Sequence, residues 1–137
     1  MALKIDTIQP AGWKKPSGYS NGVLVTGSSR LLFVAGQVAW DAEQRIVGGS
    51  SFSAQFEQAL RNLLAVLACA GGRPEHVARI TAYCCDKPAY LAVRRELGAV
   101  WRRHMGQHYP AMSMIFVSDL LDHPGKIELE ATAVIPA

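Results

Sequence analysis

Between Lys126 and Ala133 the chain alternates polar and apolar residues without a break: Lys-Ile-Glu-Leu-Glu-Ala-Thr-Ala. Successive side chains of a strand point to opposite faces. Ile127, Leu129, Ala131 and Ala133 therefore share one side, and Lys126, Glu128, Glu130 and Thr132 the other. A chain containing this segment needs a sheet with one face in a core and the other against water or a partner. The preceding apolar run obeys the same rule. Met112, Met114 and Phe116 fall on one face, with Ala111, Ser113, Ile115 and Val117 on the other.

The material to cover the dry face lies upstream. Phe52, Phe56, Ala59, Leu60, Leu63, Leu64 and Leu67 recur at helical spacing, and Gly71-Gly72 supplies a stop. A second helix fits Pro88 to about Met105, with Leu97, Val100, Trp101 and Met105 as its buried stripe. Val77 to Cys85 reads as a strand between the two. Gly22–Thr26 and Arg30–Ala35, separated by Gly27-Ser28-Ser29, read as a hairpin, after an irregular lead-in with one short strand. The order ββ-α-β-α-ββ predicts an α+β fold: a mixed sheet with two helices packed on one face, in a single domain over residues 1–137. The helix-free face would carry Glu128 and Glu130 together with large apolar side chains of neighbouring strands. Such a patch calls for a partner surface, so the pattern predicts an oligomer without giving its number.

Charge and cysteine usage exclude several classes. Half the residues are hydrophobic and 18% are charged, which argues for a packed core and against disorder. The net charge of +3 is spread over scattered Lys and Arg, and no aromatic residues interleave with them as an RNA-stacking surface would want. The longest apolar run, Leu63 to Ala70, is far short of the ~20 residues that span a bilayer, and the N-terminus has no apolar leader. Three cysteines, an odd number without metal-ligand spacing, read as reduced core thiols of a cytoplasmic protein. His104 and His108 have Gly106 between them and no third ligand nearby, and His76 and His123 fall in loops without partners, so no metal or cofactor is expected.

Tyr109-Pro110-Ala111-Met112-Ser113, with Ile127-Glu128-Leu129-Glu130-Ala131 fourteen residues further on, resembles the C-terminal signature of the RidA/YjgF family of small enamine and imine deaminases. Pro16-Ser17-Gly18-Tyr19-Ser20 resembles that family's Pro-x-x-Tyr-Ser segment, and Phe33-Val34-Ala35-Gly36-Gln37 its Phe-Val-Ser-Gly-Gln strand. Ile46-Val47-Gly48-Gly49 and the Gln58-to-Gly72 helix fall in the same order. The resemblance implies a chorismate-mutase-like fold, a barrel-like homotrimer and a small-molecule ligand in clefts between subunits. It places Glu128 as the residue that activates water, Tyr19 as a hydrogen-bonding partner, and Gly36 with Gln37 as the backbone segment of the pocket. Four positions depart from the pattern. Ala35 stands for a serine, Met112 for the arginine that grips the substrate carboxylate, Met114 for a common cysteine, and Arg95 for a frequent asparagine.

Each candidate also has a plainer reading. Glu128 is either a desolvated general base or an interface carboxylate, and Tyr19 either a ligand contact or a cap on a core edge. Gly36 either admits a ligand to a backbone N–H or accommodates a bulge. Met112, Met114 and Phe116 line an apolar pocket or fill a core or interface. Arg95 reaches the pocket mouth or is solvated. A hydrogen bond to a charged group contributes ~1.5–3 kcal/mol, so losing the arginine should cost about 10- to 100-fold on a 2-imino acid. The expectation is a hydrolytic enamine/imine deaminase for a small substrate without a free carboxylate. The alternative is a non-catalytic small-molecule-binding or structural trimer, with endoribonuclease activity a third possibility.

Overall fold

The computed structural model describes residues 1–137. Its elements are β1 (Lys4–Ile8), β2 (Gly22–Thr26), β3 (Ser29–Gln37), α1 (Phe52–Cys69), β4 (Val77–Cys84), α2 (Lys87–Ala92), α3 (Arg94–Met105), β5 (Ala111–Phe116) and β6 (Ile127–Pro136). β6 is the organising strand. It pairs antiparallel with β3 on one side and β4 on the other, and β5 adds parallel to β4, giving the order β3-β6-β4-β5. The connection through α1 carries the chain across β6, and the one through α2 and α3 makes the parallel neighbour. A parallel pair requires such a crossover.

The alternation in β6 is realised in the core. Ile127, Leu129 and Ala133 are fully buried, within one apolar cluster of 20 residues that includes the stripes of α1 and α3. The C-terminus of α1 closes as the glycine pair requires. Gly71, at φ +79°, donates to the Ala68 carbonyl and Gly72 to that of Leu67, the two hydrogen bonds of a Schellman motif. No helix is long and apolar enough to cross a membrane.

Several expectations are corrected. Gly22–Thr26 does not form a hairpin with the following strand. It pairs with β1 in a separate two-stranded sheet, register Lys4↔Thr26 to Ile8↔Gly22. Gly27, at φ +94°, lets the Ala2 backbone lie where a Cβ would stand, so the chain's start occupies the pairing edge of β2. The second helix is two helices. Asp86 caps α2 by accepting from the Ala89 N–H, and the chain breaks at Val93 (φ −122°, ψ 18°) before α3 begins. Cys69 is exposed rather than in the core, whereas Cys84 is buried. His76 is buried and has a partner, its Nδ1 accepting from the Arg73 N–H at 2.9 Å.

β3 carries one extra residue. Val34 faces Ala131 and Gln37 faces Leu129, so three steps on β3 match two on β6. Gly36 lies within that bulge. At the same end of β6 the fully buried Gln55 of α1 holds two loops. Its Nε2 donates to the Gly49 and Pro124 carbonyls, and its Oε1 accepts from the Lys126 N–H at 2.8 Å. The start of β6, and Glu128 with it, is thereby fixed against α1.

Candidate functional site

Glu128 stands on the helix-free face of the sheet. Its register partner on β4 is Tyr83, and the neighbouring Ala82 and Cys84 point into the core. A Cβ on Gly36 would lie 2.8 Å from both Cδ and Oε1 of Glu128, so the bulge leaves the space that this carboxyl occupies. Burial raises the Glu128 pKa above its ordinary value, and the negative charges of Asp122 and Glu130 raise it further. Such a carboxyl holds a proton more readily than an exposed one, as a base acting on water should. Glu130 is engaged differently: the Tyr83 hydroxyl donates to it at 2.8 Å, a bond that raises the tyrosine's own pKa. The Gln37 amide is used locally, donating to the Ala35 carbonyl and accepting from the Trp40 indole N–H.

Met112 and Met114 lie on the opposite face. They pair with Ile80 and Ala82, both fully buried on the helix side. Together they form one wall of a cavity of about 430 Å³ between β5 and α3. Tyr19, 41% exposed, forms another side with Ser17 and Gly18. That segment is tied down because Ser20 donates its N–H to the Pro110 carbonyl at 3.0 Å and its hydroxyl to that of Tyr109. The far wall is α3, with Trp101 stacked on Tyr109 at 6.1 Å and 8° between planes.

Arg95 is exposed and lies outside the lining of this cavity. Its neighbour Arg94 and, two turns on, Arg102 line it instead. Residues 94, 98 and 102 share one side of the helix, whereas position 95 turns about 100° away from 94. The sequence signal for Arg94 and Arg102 was their eight-residue spacing, two helical turns, which on a charged helix reads equally as solvated surface. Tyr83 and Asp122, beside Glu128, had no motif to mark them.

The candidates thus fall into two sets. Glu128, Gly36 and Gln37 belong to the helix-free face, and Tyr19, Met112 and Met114 to the cavity on the helix side. Within one chain the two do not meet. The histidines belong to neither: His104 donates to Glu57 at 2.8 Å beside Arg103, and His108 to the Val77 carbonyl at 2.7 Å. No group of three or more His, Cys, Asp or Glu side chains is placed to hold a metal ion.

Comparison with known proteins places these features in company. The family described as Endoribonuclease L-PSP matches residues 13–135. A RutC family protein of Synechocystis is 33% identical over 138 residues, covering 99% of each chain. Among solved structures, the conserved Rid-family protein YyfB of Yersinia pestis, of unknown function, superposes with a TM-score of 0.83 at 36% identity, covering 96% of this chain and 98% of its own. The yjgF gene product of E. coli gives a TM-score of 0.67 at 25% identity, with 85% and 87% covered.

Proposed function

This chain belongs to the Endoribonuclease L-PSP family, which takes in the RidA, YjgF and RutC proteins, and from that premise we propose that it is a hydrolytic deaminase of small enamines or imines. One observation carries the reading: a half-buried carboxyl of raised pKa, Glu128, set over a glycine that leaves it room. In the proposed step Glu128 takes a proton from water as the water oxygen bonds to the C=N carbon. The nitrogen, protonated in turn, leaves as ammonia, and a carbonyl product remains. Tyr19 hydrogen-bonds the reacting end, and Met112 with Met114 packs against its apolar part. Met112 offers no cation where the family's arginine would stand, so the reacting carbon bears no free carboxylate.

The separation of the two sets supports an assembly. A site using both needs the helix-free face of one copy set against the Tyr19–Met112 cavity of the next, as in a ring of three identical chains. Leu31, Phe33 and Ile115, at 62%, 73% and 43% exposure, give that face an apolar surface to cover.

A screen of imines and enamines for ammonia release tests the proposal. Glu128→Gln keeps the shape but cannot accept a proton, and should lower any activity found by about 100-fold or more. Unchanged turnover would remove Glu128 from the mechanism. A folded wild type inert on every C=N substrate would assign the cleft to binding alone.

A further inference from the structure

The cavity between α3 and β5 holds two guanidiniums, Arg94 and Arg102, and no carboxylate among its lining residues. Neither forms an ion pair within the chain, whereas Arg45, Arg73 and Arg103 each do. Gly98 lies midway between them on the same side of the helix. Arg102 Nη1 sits 3.3 Å from the place a Gly98 Cβ would take, so this side chain folds back over the glycine toward Arg94. Glycine is unfavourable inside a helix relative to alanine, and Gly98 has no left-handed backbone that would demand it. What it provides is an open notch beneath the Arg102 guanidinium, in a cavity that Arg94 also lines. Flat and adaptable surfaces complete the cavity: the Trp101–Tyr109 stack beside α3, and the two methionines on β5.

We propose that this cavity binds a ligand with a flat apolar body and one anionic group, a carboxylate or a phosphate monoester, held by Arg94 and Arg102 over Gly98. The volume of about 430 Å³ suits one aromatic ring with a short side chain. The arginines line the α3 wall and the methionines the β5 wall, so the apolar body separates the anion from the end that meets Met112. A 2-imino acid carries its carboxylate on the reacting carbon itself and so has no apolar body between the two to fit this arrangement. The inference gives the substrate class of the cleft proposed above and rests on that reading for its catalytic meaning; binding itself does not depend on it.

Calorimetric titration of the purified protein with phenylacetate, phenyl phosphate and phenylacetamide tests the assignment. At least one anion should bind about 10-fold or more tightly than the amide at low salt, with the advantage shrinking as salt is raised. Preference between the two anions tells carboxylate from phosphate. The double variant Arg94→Gln/Arg102→Gln should bring both anions to the level of the amide. Gly98→Ala should weaken the anions and spare the amide, with the melting temperature equal or higher. Equal affinity for acid and amide, no binding of any probe at millimolar concentration, or an advantage that survives the double variant would each overturn the proposal. The probes carry no C=N bond, so this result stands apart from whether Glu128 performs hydrolysis.

Discussion

At Met112 the missing guanidinium can be restored. Met112→Arg should raise ammonia release from 2-iminobutyrate by about 10-fold or more over a wild type that barely accelerates it, since a charged hydrogen bond contributes ~1.5–3 kcal/mol. The new side chain would share a cavity with Arg94 and Arg102, so like-charge repulsion should lower its melting temperature most at low salt. Assembly must therefore be checked before rates are compared. Rapid turnover of 2-iminobutyrate by the wild type would show that another group grips the carboxylate. In its proposed role Glu128 makes the same exchange of stability for function. Its pKa is raised on folding, so the folded chain holds the proton more tightly than the unfolded one. Stability from this group is fully present below the ordinary carboxylate range and is lost as pH rises through the raised value. Glu128→Gln should therefore melt higher than wild type at neutral pH, with the gap closing as acid protonates the native carboxyl.

At the scale of elements, the β3 bulge and the Glu128 side chain form one device. Gly36→Ala would drive a methyl group against Cδ and Oε1, the flexible end of Glu128, which can swing aside. Activity should fall on the order of 100-fold, as a misplaced catalytic group does, while the melting temperature changes little. A rate close to that of wild type would separate the bulge from the chemistry. The bulge also marks where sequence reading ran out. Periodicity located α1, the stripe of α3 and both faces of β5 and β6, because burial selects residue types at fixed spacing. It placed Glu128 and Met112 correctly within their strands, but their opposition across the sheet follows only from the register Tyr83↔Glu128 and Ile80↔Met112. Local spacing carries no such register. The break at Val93 has neither proline nor glycine to announce it, and Gln55 looks polar until the two loops it holds are seen. The pairing of β2 with β1 was hidden because two β-rich segments competed for one partner.

For the molecule as a whole, exposed Leu31 and Phe33 on a sheet face flanked by charged side chains predict association. Light scattering at micromolar concentration should give about three times the 14.9 kDa chain mass. A stable monomer would refute the assembly and leave the cleft without its second half. The location of Glu128 and Tyr19 on opposite sides of one sheet has a genetic consequence if neighbouring copies share each site. Two chains, one bearing Glu128→Gln and the other Tyr19→Phe, would each be impaired alone. Denatured, mixed in equal amounts and refolded together, they should complement one another. Random association would reunite an intact carboxylate with an intact phenol at about one cleft in four, so two defective proteins would recover activity that neither possesses.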